Sequence, residues 1–560
     1  MHLHHSCKSI FVFFILSPRQ YNDCQRIDTR SGRGLGKKRE ERVKALFKIV
    51  DIKGAASAIK DGATVGITGF MGSACPEYLL KGIEDSFLEG GHPCALTMTH
   101  SPGIGDGKDR GMNHMAHAGL LKRVIASHYN LAPLLQAKVD SGEIEAYLLP
   151  QGTLCQLYRE IGAGRPGVIT KTGLGTFVDP RLEGGKCNAL ATRDLVEVVT
   201  LGGEEYLWYK SFPIDVAIIR GTSVDEHGNV SAEKETTLID QLALAQAAKR
   251  SGGIVIVQAE RVVAAGAINP RDVIVPGILV DYVVLSPAEY HYQNFGNQPY
   301  DAALAHEFRI PVDSIPILPM SDRKIIARRA AMELPRNAVI NLGIGIPEGV
   351  SGVAVEEGFA DQLTMTVEAG QIGGVPAAGA AFGGAYNPEF VPGMINQFDF
   401  YDGGGLDVCF LGAAEVDAMG NCNVSKFTRT VGPGGFINIA SNTPKCVFCG
   451  TLTAGGLKTE VKDGRLVILQ EGRNRKYVKQ VKQVTFSGAN AVKSGQKVLF
   501  ITERAVFELD EEGIILTEIA PGIDLQTQVL DVVDFDVRVS SGLRTMDERI
   551  FREGKMGLEL

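Results

Sequence analysis

The sequence predicts an α/β fold of two tandem, duplicated domains, with mainly parallel sheets and some antiparallel hairpins. From Ile49 onward, short apolar runs of β type alternate with segments of helical period, the pattern of strand–helix–strand units. The 66 glycines cluster without a period, as tight strand-to-helix turns and close backbone approaches require. Ordered sets of residues also recur. Leu96-Thr-Met-Thr99 returns as Leu363-Thr-Met-Thr366, and Pro76-Glu77 as Pro347-Glu348. Asp215-Val-Ala-Ile-Ile, Val224-Asp225 and Gly228-Asn-Val-Ser231 return as Asp407-Val-Cys-Phe-Leu, Val416-Asp417, Gly420-Asn421 and Asn423-Val-Ser425. Repetition in this order marks two copies of one fold.

The elements follow in chain order. Ala63–Thr68 reads as a strand, Pro76–Leu88 as a helix with Pro in its first turn, and Ala95–Thr99 as the next strand. Arg123–Ala126, Glu145–Leu149, Val216–Ile219 and Ile254–Val257 read as further strands. The alternation from Leu195 to Tyr209 around Gly202-Gly203 predicts an antiparallel hairpin. Pro311, Pro316 and Pro319 interrupt regular structure after an aromatic, polar stretch from Ser286, which puts a boundary between about 286 and 322. A helix restarts over Asp322–Glu333, Ile437–Ala440 reads as a strand, and Thr451–Leu469 and Val498–Ile519 read as hairpins capping the second copy. The expected division is an N-terminal extension at 1–46, a first domain at 47–290, a linker at 291–321 and a second domain at 322–560.

Length exceeds what one ordinary core organises, while 44% apolar and 22% charged residues are those of a soluble globular protein. Residues 1–50 hold eleven Lys or Arg against four Asp or Glu, so with a net charge of −8 the body is acidic. An acidic body is a poor nucleic-acid binder, although local basic spots for a phosphorylated ligand stay open. Ten irregularly spaced Cys read as free or buried thiols of a reducing compartment, and Cys446-Val-Phe-Cys449 as two strand thiols. The apolar run Ile10–Leu16 is far too short for a membrane span. Its basic continuation through Arg26, Arg30 and Arg33 fits either an organellar address or an extension without fold. Cytoplasmic residence is expected, or mitochondrial if residues 1–46 are a transit peptide.

One acid stands out. Glu368 ends the second Leu-Thr-Met-Thr run, where the first copy has Ser101. A scaffold that carries a carboxylate in one copy only points to a site, the alternative being a solvated acid at a strand end. Unlike a Ser, Cys or Lys nucleophile, a carboxylate is already ionised near pH 7. Gly370, Gly373 and Gly374 remove side chains beside it, and a glycine-lined pocket would strip its hydration. A second glycine loop, Gly432-Pro-Gly-Gly-Phe436, follows a basic, hydroxyl-rich stretch and offers backbone N–H groups to an oxyanion.

These residues resemble the family I coenzyme A transferases, in the long single-chain branch with acetate and propionate CoA-transferases. The segments that carry the resemblance are Thr64–Phe70, Glu145–Thr153, Gly173–Thr176, Gly343–Gly349, Val367–Gly370 and Gly432–Phe436. They span roughly 49–540 in the order of fused α and β halves. The resemblance places the family's catalytic glutamate on Glu368 and its oxyanion donors on Gly434 and Gly435. Gly343, Gly345 and Gly370 are the glycines expected along bound coenzyme. It implies a ping-pong reaction through an acyl-glutamyl anhydride and then a glutamyl-CoA thioester. Coenzyme A is then a substrate, and no resident cofactor, ATP or metal is needed. Acyl-CoA and short-chain carboxylates are the implied partners, with no nucleic acid or membrane, and the implied assembly is a homodimer or homotetramer. Glu-Ala-Gly stands here where other branches have Glu-Asn-Gly, which fits the short-chain acyl branch. The alternatives are an acyl-CoA hydrolase and a non-catalytic acyl-CoA sensor.

Three further motifs point elsewhere. His114 and His117 lie three apart on an expected helix, as a zinc pair would, without the Glu of a metalloprotease motif. Gly34-Leu-Gly-Lys-Lys38 lacks the spacing of a phosphate loop. Gly343 and Gly345 follow a strand and open a helix, but their spacing is wrong for a dinucleotide site.

Overall fold

The computed structural model describes residues 47–296, 299–311 and 318–560; the expectations for residues 1–46 lie outside the described residues. The first copy is built on an eight-stranded sheet. Its strands are β1 (Lys48–Ile49), β2 (Thr64–Ile67), β3 (Leu96–His100), β4 (Leu121–Ala126), β5 (Glu145–Leu148), β6 (Val216–Arg220), β7 (Ile254–Ala259) and β8 (Tyr282–Leu285). Their spatial order is β1-β8-β7-β6-β2-β3-β4-β5, and every pairing is parallel. Helices α1 (Glu77–Gly90), α2 (Gln151–Gly162) and α3 (Gln241–Arg250) cover it. Both faces are therefore packed, which is why β3 and β6 are buried along their whole length. The expected hairpin forms from Val196–Leu201 and Glu204–Lys210.

The second copy is a nine-stranded sheet. Its strands are β9 (Val339–Leu342), β10 (Thr364–Val367), β11 (Gln371–Ile372), β12 (Val408–Gly412), β13 (Lys445–Cys449), β14 (Lys497–Ile501), β15 (Ala505–Asp510), β16 (Gly513–Ile519) and β17 (Arg538–Thr545). They lie in the order β11-β10-β9-β12-β13-β14-β15-β16-β17. The central run β10-β9-β12-β13-β14 is parallel and reproduces β3-β2-β6-β7-β8. Helices α4 (Asp322–Ala331), α5 (Gly349–Glu357), α6 (Met394–Asp402) and α7 (Phe436–Asn442) accompany it.

Equivalent residues do equivalent work in the two copies. Asp215 accepts from the Thr64 N–H and Asp407 from the Val339 N–H, each at 2.8 Å, tying neighbouring strands at their start. Asp225 and Asp417 each hold a tight turn by accepting from the side chain and backbone of Asn229 and Asn421. Those asparagines in turn accept from the N–H of Gly277 and Gly488, both at 3.0 Å.

Two expectations are corrected. Ile437–Ala440 is not a strand but part of α7. Its β-branched residues suit a strand locally, yet the parallel neighbours β12 and β13 need a crossover between them, and α7 is that crossover. His114 sits on a single 3₁₀ turn, Gly111–Met115, and His117 lies beyond it. Both rings are held by carboxylates: His114 by Glu77 and Glu84 at 2.8 Å each, His117 by Glu84 at 2.7 Å.

Candidate active site

Glu368 directly follows β10, at the carboxyl edge of a parallel sheet, where ligand crevices of open α/β folds lie. The strand beneath it is braced. Thr366 donates to the Ile340 carbonyl at 2.8 Å and accepts from the Tyr401 hydroxyl of α6, also at 2.8 Å. The first copy has the same brace, Thr99 against Tyr158 of α2 at 2.7 Å. Gly370, at φ +114°, then lets the Gly393–Met394 backbone pass where a Cβ would lie 2.5 Å from the Gly393 carbonyl carbon.

The turn is gripped by the other copy. Thr237 donates to the Ala369 carbonyl at 2.5 Å, and Gln371 donates to the Thr236 carbonyl at 3.0 Å. The grip is reciprocal, since the first residue of each central helix donates its N–H to the opposite loop: Gln151 to the Gly434 carbonyl at 3.0 Å, and Met394 to the Leu238 carbonyl at 2.8 Å. Between the two helices Arg159 pairs with Asp399, and Gln156 donates to Asp402 at 2.8 Å. Asn438 of α7 accepts from the Gly152 N–H at 3.0 Å and donates to Asp402 at 3.1 Å, which fixes α7 to both helices.

Glu368 opens onto a cavity of about 550 Å³ lined by both copies, with Phe70 and His128 from the first and Gly343, Leu411 and Phe436 from the second. Its carboxylate faces Gly435, the residue that caps α7, so closely that a Cβ there would collide with Oε2. Of the two glycines expected as donors, Gly434 spends its N–H on the Ser127 carbonyl at 3.0 Å. The Gly435 N–H has no partner among the described residues. Gly343 lines the cavity as expected for close approach, whereas Gly345 and Gly370 do not. The Gly345 N–H serves the Glu348 carboxylate, and Gly370 makes room for α6.

Burial pushes the Glu368 carboxyl up to about 7, while a hydrogen bond from the Gln151 side chain pulls the other way. Burial holds the His128 imidazole near 4, with His100 adding to the effect, so the ring is neutral at physiological pH. Burial lowers the Lys476 ammonium to about 8. The arrangement can present a poorly hydrated carboxylate to an electrophile beside an open backbone donor. Gln151 lies in the resembling segment Glu145–Thr153 but is not singled out there, and His128, Asn438 and Lys476 carry no signal in the sequence, because each comes from a segment far from Glu368. Among the described residues no cluster of His, Cys, Asp or Glu is built to hold a metal, and no helix is long and apolar enough to cross a membrane. Cys446 and Cys449 are strand thiols, buried near the start and at the end of β13.

The family model for coenzyme A transferase matches residues 49–286. A caffeate CoA-transferase of Acetobacterium woodii is 47% identical over 92% of this chain and 99% of its own. The acetate CoA-transferase YdiF of Escherichia coli K12 is 42% identical over 93% of this chain and 98% of its own. The crystal structure of the acyl-CoA transferase YdiF from Escherichia coli O157:H7, in a thioester complex with CoA, superposes with a TM-score of 0.87 at 41% identity, covering 92% of this chain and 98% of that one. This chain belongs to the coenzyme A transferase family. It is a CoA-transferase, with coenzyme A as substrate.

Proposed function

We propose that the protein moves CoA from an acyl-CoA to a short-chain carboxylate by a ping-pong route on Glu368. The observation that carries this reading is the placement of the Glu368 carboxylate against side-chain-free Gly435, at the wall of a largely apolar cavity. Glu368 attacks the thioester carbonyl and expels CoA thiolate, while the Gly435 N–H meets the oxyanion. Thiolate then attacks the glutamyl carbonyl of the anhydride, releasing the first carboxylate and leaving a glutamyl-CoA thioester. A second carboxylate reverses both steps. Gln151 stabilises the ionised nucleophile and hands no proton over, since none is gained or lost along the route.

Mass spectrometry of protein mixed with acetyl-CoA and trapped with borohydride or hydroxylamine tests the reading. A modification on Glu368 is expected, and its absence under turnover would overturn it. Free CoA produced without a carboxylate acceptor would instead mark a hydrolase. A second acceptor class, aromatic acids of the hydroxycinnamate type, is favoured by the cavity wall. Phe70 and Phe382 stand 6.0 Å apart there, and Gly383 lies flat under Phe70. The relative from Acetobacterium woodii carries such an acid in its name. Initial rates with acetate, propionate, butyrate and caffeate rank the two classes. We place the protein in the cytoplasm as a homodimer or homotetramer, which light scattering of the purified protein measures.

A further inference from the structure

Lys476 is the one Lys or Arg among the described residues that lines the cavity. Its backbone is pinned, because its carbonyl accepts from the Val416 N–H at 2.9 Å. Its ammonium reaches over Gly450, where a Cβ would come within 2.5 Å of Nζ, so the glycine at the end of β13 is what leaves it space. No hydrogen bond or ion pair to it is present among the described residues. The buried carboxylate whose charge it feels, Glu503, is already committed to Arg504 and to the Leu452 N–H at 2.9 Å. A part-buried cation without a partner is costly unless a ligand supplies one.

Position says which ligand. Glu368 ends β10 and Gly450 follows β13, and the sheet runs β10-β9-β12-β13. Three strand spacings separate them, about 14 Å. At that separation the charge of Lys476 is largely screened from Glu368, whose shift comes from burial and Gln151. An extended pantetheine arm, amide-rich like backbone, spans about 15 Å from its sulfur to the first phosphorus. Between the two ends the wall includes Leu411, Gly412, Ala413 and Ala414, small or apolar residues that offer a slender chain a track beside Phe436 of α7.

Resting on the assignment of Glu368 as nucleophile, we infer that Lys476 binds the diphosphate of coenzyme A and so fixes the direction in which acyl-CoA lies in the cavity. The tail runs along the strand ends toward Gly450, and the acyl group points to Phe70 and Phe382. Lys476 is a positioning residue and touches none of the reacting atoms.

The test compares wild type and Lys476→Met with acetyl-CoA and with acetyl-pantetheine, which has the thioester and arm but no phosphate. Loss of one charged hydrogen-bond partner should lower kcat/KM for acetyl-CoA by about 30-fold and leave acetyl-pantetheine within about threefold. Gly450→Ala, which displaces the ammonium without removing it, should shift the same ratio in the same direction. Equal losses on both substrates would mean a structural role or a contact to the arm, and would overturn the inference. So would a loss confined to dicarboxylate acceptors such as succinate, or no loss at all. Exchange that survives Glu368→Ala would bring down the nucleophile assignment itself, whereas an ordinary Lys476→Met in an enzyme that still needs Glu368 would bring down this inference alone.

Discussion

Ser101 donates a hydrogen bond to Asp240 at the place where, in the second copy, Glu368 faces Gly435. Ser101 and Glu368 both stand two residues after the matched threonines Thr99 and Thr366, and Asp240 and Gly435 both cap the helix that follows, α3 or α7. The carboxylate has changed sides between the copies. In the first it belongs to the helix cap, is buried and leaves Oδ1 without a partner among the described residues; in the second it follows the strand and opens on the cavity.

Glu368→Ala should reduce exchange between acetyl-CoA and propionate by more than about 10³-fold while circular dichroism stays unchanged, because no other Asp or Glu among the described residues lines the cavity. Ser101→Ala, at the equivalent position, should keep turnover within about tenfold. It should instead lower stability by about 1–3 kcal/mol, since Asp240 loses its donor. Exchange assays and denaturant melts of the two variants separate chemistry from packing.

Gly435→Ala should cost far more turnover than Gly434→Ala, although both lie in one loop. A methyl at 435 collides with the Glu368 carboxylate, whereas one at 434 meets only Gln151 Oε1 at 3.7 Å. Gly434 sits at φ +53°, so its alanine variant carries backbone strain of about 1 kcal/mol. Loss of an oxyanion donor is worth about 3 kcal/mol, or roughly 10²-fold in kcat. Similar kinetics for the two variants would show the loop to be only a turn.

Acylation should rise with pH and level off above about 7, because the nucleophile must be ionised and burial holds its carboxyl there. Gln151→Leu removes the bond that favours the ionised form, so the midpoint should move up. Stability carries the opposite sign. Between 4.5 and about 7 the folded state keeps a proton that the unfolded chain has lost, so this group's contribution falls as pH rises through that window. Glu368→Gln removes the penalty and should gain about 1–3 kcal/mol relative to wild type at pH 8, and nothing at pH 4. Chemical melts at the two values read the difference.

His114 makes an independent test far from the cavity. Burial opposes its charge, but the Glu77 and Glu84 carboxylates outweigh burial and raise it above 6.5. Its ion pairs are fully present below 6.5 and weaken as pH climbs through the folded value. His114→Gln should therefore cost about 1–2 kcal/mol at pH 6 and less at pH 9, with exchange activity unaffected at saturating substrate.

Much of the fold was legible because its signals are local. Apolar runs bounded by glycine mark β2, β3, β6 and β7 within a residue or two, and the Asp215/Asp407 repeat marks the two sheets. Ile437–Ala440 misled because its composition favours a strand, while a topological need for a crossover, invisible in seven residues, makes it a helix. Glu368 could be singled out by comparing the copies. Gln151 could not, since its amide reaches the carboxylate from a segment more than two hundred residues away. Nor does a Gly-Gly pair reveal that one N–H is spent on Ser127 and the other is open.

The crossed loops of the two copies also bear on why one chain is used. Leu238 and Gly434 each hold the start of the opposite central helix, so neither copy completes its own site. Joined covalently, the halves meet at an effective concentration of about millimolar, set by the connecting chain rather than by how much protein the cell holds. A transient parting of the halves then ends in reclosure on the same partner. A glutamyl-CoA thioester formed at their seam would meet water only for the time before reclosure, and the yield of transfer over hydrolysis becomes a property of the tether as much as of the site.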